Sequence, residues 1–149
     1  MAKVAVIDIG TNSIHMVLAE IEPDGTYKIL DRFKDMTRLG DGTFEEERLS
    51  DESISRGLEV LRNLTTLAKN KGYDRIVMGA TSAIREAKNG GDFIEQVNKE
   101  TGVRIRVITG NEEARLIYLG VRQRMDLSEK PSLIVDVGGG SVELIGLNL

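Results

Sequence analysis

Cysteine is absent from the 149 residues, which removes a disulfide framework, a thiolate nucleophile and any zinc site with a Cys ligand. The same absence suits a reducing compartment, so a cytoplasmic location is expected. Histidine occurs once, as His15, leaving little room for a histidine-rich metal site or a Ser-His-Asp relay. Long apolar runs are missing too. The stretch that opens the chain stops at Ile9, too short for a signal-peptide core or a membrane span. Basic residues do not dominate: 20 Lys and Arg stand against 24 Asp and Glu, for a net charge of −4. A nucleic-acid surface carries a basic stripe instead. Neither nucleic acid nor a membrane is therefore an expected partner. The side chains left for chemistry are carboxylates, hydroxyls and arginines, together with backbone amides.

With 40% apolar residues, the chain can bury a core of ordinary size. Residues 3–9 are apolar on both faces, as in a central strand of a covered sheet, and the run ends at Gly10. Residues 14–21 resume an extended pattern, Pro23-Asp24-Gly25 is a turn sequence, and residues 27–33 give a third strand. Together they predict an antiparallel meander. After a polar loop around Gly40-Asp41-Gly42, Ser50 precedes Asp51 and Glu52 as a cap and acidic first turn. Ile54, Leu58, Leu61, Leu64 and Ala68 then recur at helical spacing, with Gly72 beyond the end.

A buried strand over residues 74–80, a short helix over 92–101 and a strand over 103–108 follow. A further helix starts at Asn111 and carries Ala114, Ile117, Val121 and Met125. Strands alternating with helices imply parallel crossovers. Residues 126–131 are polar and end in Pro131, so they are expected to link a first lobe, residues 1–125, to the start of a second, residues 132–149. That second part reads as strand 132–137, the turn Gly138-Gly139-Gly140-Ser141, and strand 142–147.

The two glycine turns repeat each other. Asp8-Ile9-Gly10-Thr11-Asn12-Ser13 and Asp136-Val137-Gly138-Gly139-Gly140-Ser141 match in aspartate, glycine and serine at one separation of 128 positions. Each follows an apolar strand and leads into another. Like hairpins half a molecule apart predict an internally duplicated protein whose turns face each other across a cleft. Glycine lets backbone approach an anion closely, and successive amides in a tight turn donate to phosphate oxygens. Gly10, Thr11, Asn12, Ser13, Gly138, Gly139, Gly140 and Ser141 are thus the candidate phosphate cradle. An aspartate at a strand end repels phosphate, yet it can hold magnesium between itself and the substrate. Alone, each turn would equally be an ordinary Asp-Gly hairpin.

Four motifs in order now carry a more specific likeness. The Asp8 turn, Ala80-Thr81-Ser82-Ala83-Ile84-Arg85-Glu86-Ala87, Thr109-Gly110-Asn111-Glu112-Glu113-Ala114-Arg115-Leu116-Ile117, and the Asp136 turn resemble the exopolyphosphatase and guanosine-pentaphosphate phosphatase family, part of the actin, Hsp70 and sugar-kinase superfamily. The resemblance covers essentially the whole chain. It implies an α/β lobe of ribonuclease-H-like type, with a mixed five-stranded sheet flanked by helices, followed by the first hairpin of a second lobe. It further implies a phosphate cradle from Asn12, Ser13, Gly138, Gly139 and Ser141, magnesium held by Asp8, Asp136 and Glu143, a phosphate clamp at Arg85, and Glu113 as the base that activates water. The substrates implied are inorganic polyphosphate or guanosine pentaphosphate.

The residues also admit plainer readings. Arg85 alone would be a surface arginine or a partner of Glu86. Glu112 and Glu113 sit where a helix dipole welcomes carboxylates, a field that lowers a pKa, whereas general-base work is helped by raising it. His15 occupies in the first hairpin the position Glu143 holds in the second, and a packed, hydrogen-bonded histidine is expected there. Arg104 and Arg106 alternate with Val103, Ile105 and Val107, as on the wet side of a strand. Hydrolysis of a phosphoanhydride is the expected reaction of the whole enzyme. Its rivals are an ATP-binding kinase or actin-like relative with the same turns, and a piece without activity of its own. Residues 132–149 form an apolar hairpin with no evident cover, so homodimerisation or other self-association through it is expected.

Overall fold

The computed structural model describes residues 1–127 and 130–148. Residues 128 and 129 of the predicted 126–131 linker, and residue 149 of the predicted hairpin segment, lie outside the described residues. Strands β1 (Ala2–Ile9), β2 (Ile14–Ile21) and β3 (Tyr27–Asp35) form the antiparallel meander. After α1 (Thr43–Glu46) and α2 (Asp51–Asn70), strand β4 (Arg75–Ala80) crosses back to lie parallel to β1. Helices α3 (Ser82–Glu86) and α4 (Gly90–Thr101) lead to β5 (Ile105–Val107), parallel to β4, and then to α5 (Gly110–Arg122). The sheet runs β3-β2-β1-β4-β5, mixed and five-stranded as expected. Strands β6 (Ser132–Val137) and β7 (Val142–Leu147) pair with each other in a separate two-stranded sheet.

The Ser50 cap works as its sequence indicates: its Oγ accepts the Ser53 amide at 3.1 Å, a bond whose loss costs about 1 kcal/mol in such helices. Helices α2 and α4 lay their apolar stripes on one face of the sheet. Leu61, Phe93 and Val97 close there over Ile7, Met16, Met78 and Ile105, and all seven are buried. Truncating a side chain like Phe93 in such a core costs about 3–5 kcal/mol.

The opposite face departs from the expectation of a sheet covered on both sides. Val6 and Val77 are each 44% exposed there. Among the described residues no helix crosses this face, because α5 turns away after β5 and rests on β7. Its Ala114, Ile117 and Val121 are half-buried, and Met125 lies exposed beyond the helix end. Helices α1 and α3 were not expected, since one or two turns are too short for apolar periodicity to register. Among the described residues, no helix is long and apolar enough to cross a membrane.

Candidate active site

The two glycine turns fold alike down to the hydrogen bond. The Gly10 amide donates to Ser13 O at 3.0 Å, and the Gly138 amide donates to Ser141 O at 2.9 Å. Asp8 pairs in register with His15 across the first hairpin, and Asp136 with Glu143 across the second. The tips meet. A Cβ on Gly139 would lie 2.5 Å from Asn12 Nδ2, and one on Gly140 would lie 2.5 Å from Ser82 Oγ and 2.8 Å from Thr11 Oγ1. A side chain at either position would force these neighbours to shift, so glycine lets the two turns approach this closely.

The first turn is fastened from behind. The Arg38 amide donates to Asn12 O and the Gly40 amide to Thr11 O, both at 2.9 Å. Thr11 Oγ1 and Ser82 Oγ share a buried hydrogen bond of 2.8 Å that ties the turn to the start of α3. The carbonyls of Thr11 and Asn12 are thereby consumed. Among the described residues, the amides of Thr11, Asn12, Ser13, Gly139, Gly140 and Ser141 donate to no protein acceptor. A set of such amides in two facing turns is an anion cradle in waiting.

Both turns open on one cleft of about 850 Å³, whose walls include Asp8, Asp136 and Glu113. A smaller hollow of about 400 Å³, at the far end of α5 against Tyr118 and Arg122, holds none of these groups. Burial raises the Asp8 carboxyl pKa above its usual 3.8; His15 draws it down and the negative charge of Asp136 pushes it up again.

Glu113 stands in the first turn of α5, a helix capped by Thr109 Oγ1, which accepts the Glu112 amide at 3.2 Å. Burial raises its pKa above 4.5, the Arg85 hydrogen bond opposes this, and the charges of Glu143 and Asp8 add to the rise. Burial thus supplies the push against the helix dipole that a base at this position requires. Arg85 is bound on three sides: Nη1 donates to Ile108 O at 2.7 Å and to Glu113 Oε2 at 3.2 Å, and Nε to Glu86 Oε1 at 3.1 Å. It stands behind Glu113 and does not line the cleft. Glu112 turns to Arg115, and that hydrogen bond holds its pKa below 4.5.

Glu143 is 8% exposed, on the strand that rests against α5, and is not among the cleft-lining residues. Among the described residues no three His, Cys, Asp or Glu side chains gather at metal-binding distance. The expected trio of Asp8, Asp136 and Glu143 is therefore not assembled as a closed ligand set, although Asp8 and Asp136 share the cleft.

The Ppx/GppA phosphatase family profile matches residues 17–148. The chain belongs to this family. Among solved structures, an exopolyphosphatase from Cytophaga hutchinsonii is 32% identical, with a TM-score of 0.91, over 97% of this chain and 46% of that one. The Ppx-GppA enzyme of Aquifex aeolicus is 36% identical, with a TM-score of 0.84, over 97% of this chain and 48% of that one. This Ppx/GppA chain thus spans about half the length of those structures. Its five-stranded sheet with flanking helices is the actin-like fold of the Ppx/GppA family.

The cleft of this Ppx/GppA member also contains residues to which sequence reasoning gave no functional role, Lys34, Arg106 and Arg115 among them. Arg106 had been read as the wet side of a strand. Counting strand register outward from Asp8 would have found both Lys34 and Arg106, since each lies on its rung.

Proposed function

We propose that this family member hydrolyses the terminal phosphoanhydride bond of a phosphate chain, inorganic polyphosphate or guanosine pentaphosphate, with magnesium. The observation that carries the reading is the meeting of the two turns, with their undonated amides, in the cleft that Glu113 borders. Amides of residues 11–13 and 139–141 would hold the terminal phosphate. Glu113, its pKa raised by burial, would take a proton from the attacking water. Arg85 holds Glu113 through Nη1, and to serve as the expected phosphate clamp its guanidinium would have to swing from behind Glu113 into the cleft. Positioning and charge stabilisation supply most of the acceleration in such reactions.

The residues present fit a magnesium ion. The charge of Asp136 raises the Asp8 pKa, so the two carboxylates repel across the cleft, a repulsion that a divalent cation relieves. Magnesium commonly takes one or two carboxylates and completes its shell with water and substrate phosphate. Asp8 and Asp136 would hold it. Bound there, the ion would offset negative charge on the phosphate oxygens.

The hairpin of β6 and β7 is proposed as the opening element of a second lobe, and the lack of cysteine supports a cytoplasmic setting. The test is phosphate release from polyphosphate and from guanosine pentaphosphate in ¹⁸O-labelled water, by the full-length protein and its Glu113→Gln variant. Label in the released phosphate and its loss in the variant are expected. Transfer to an acceptor other than water, or undiminished turnover in the variant, would sink the proposal.

A further inference from the structure

One rung crosses all five strands on the open face of the sheet. Lys34 on β3 is in register with His15 on β2, His15 with Asp8 on β1, Asp8 with Gly79 on β4, and Gly79 with Arg106 on β5. All five residues line the cleft, so the rung is its floor. Asp8 is at the centre. Lys34 stands two strand spacings to one side of it, about 10 Å along the sheet, and Arg106 the same distance to the other.

The two ends differ in what their cations are doing. On the β5 side every arginine is already engaged: Arg85 with Glu113 and Glu86, and both Arg106 and Arg115 with Glu112, at 3.7 Å and 2.8 Å. On the β3 side, Ser13 Oγ and His15 Nε2 share a bond of 2.8 Å, and among the described residues no carboxylate pairs with Lys34. Its neighbour Asp35 accepts from Thr37 Oγ1 at 2.7 Å instead. Lys34 is a cation facing an anion cleft with its charge unspent.

Direction of reaction gives that charge a use. In an in-line displacement the attacking and leaving oxygens lie on opposite sides of the phosphorus. Glu113 enters from α5, on the β5 side of the rung, so water activated there expels the rest of the chain toward β2 and β3. We propose that Lys34, with His15 beside it, binds the phosphate next to the one being cleaved and stabilises its charge as it leaves. The proposal rests on the terminal-phosphate cradle described above, and it makes a chain of phosphates, rather than a lone phosphate ester, the substrate class that this half of the cleft fits.

Calorimetric titration in magnesium-containing buffer tests it, with orthophosphate and tripolyphosphate as the two probes and Lys34→Ala, Lys34→Arg and Ser13→Ala as variants. Lys34→Ala is expected to weaken tripolyphosphate binding roughly tenfold and leave orthophosphate binding unchanged, with Lys34→Arg restoring most of the loss. Equal affinity of wild type and Lys34→Ala for tripolyphosphate would overturn the Lys34 subsite. If Ser13→Ala still weakened orthophosphate binding in that case, the cradle would stand. If the wild-type chain bound neither anion, the cradle would fall and Lys34 with it.

Discussion

Arg85 Nη1 donates to Glu113 Oε2 at 3.2 Å while also gripping the carbonyl of Ile108, the residue just after β5, at 2.7 Å. One guanidinium thus fixes the carboxylate against the strand that precedes its helix. Removing it leaves Glu113 under burial and the charges of Glu143 and Asp8, all of which raise its pKa. Arg85→Gln is therefore expected to move the acid limb of the pH–rate profile to higher pH, with part of the lost rate recovered as pH rises. Glu113→Gln, which removes the base, should cost roughly 10²–10⁴ in rate on the plateau above the acid limb and should flatten that limb. An unmoved acid limb in Arg85→Gln would show that the pair does not control ionisation.

Asp8 bears a stability cost. Its folded pKa lies above 3.8, so ionisation is harder in the folded protein than in the unfolded chain. The sign follows: the cost is absent below the unfolded value and grows as pH climbs through the folded one. Asp8→Asn should raise Tm at pH 7, lose that gain near pH 3, and abolish phosphate release. A lower Tm at pH 7 would contradict the assignment.

The meeting of the turns can be broken by one side chain. In Gly140→Val the new Cβ would press on Ser82 Oγ and Thr11 Oγ1, and overpacking of this kind costs about 1–3 kcal/mol. Orthophosphate affinity should fall with it. Gly120→Ala serves as the control, since a Cβ there meets nothing within 4 Å inside helix α5 and is expected to add about 0.5–1 kcal/mol of stability. Chemical denaturation of both variants measures the contrast.

The hairpin exposes Leu133, Val135, Val137, Val142 and Leu144, with Val135 facing Leu144 and Val137 facing Val142 across the strands. The chain is expected to self-associate through this segment. Light scattering at rising concentration should show growth in mass, and Val135→Lys with Leu144→Lys should return a monomer. Unchanged association in that double variant would place the contact elsewhere.

Much of the fold was legible because local signals agreed: the Ser50 cap, the α2 stripe, and an apolar run cut off at Gly10. The separation of 128 positions also predicted two hairpins of one geometry, since a tight turn between paired strands admits few backbone paths. Lys34 and Arg106 were harder. Alternation assigns them to the side away from the core, which is correct, but it cannot distinguish bulk water from the floor of a cleft. The hold of Arg85 on Glu113, 28 positions away, depends on how β4 and β5 lie side by side, a tertiary fact with no local trace. Glu143 was expected at the magnesium from the family likeness and its place just after the second turn, yet it is buried on the strand that rests against α5 and does not line the cleft, a matter of tertiary packing.

A seat made from two identical turns would have no front and no back. Here the residue across from the leading aspartate is His15 in one hairpin and Glu143 in the other, so the two halves kept a common backbone and parted in charge. A guest of fixed polarity entering between them is met by unlike neighbours, and has one way round to sit.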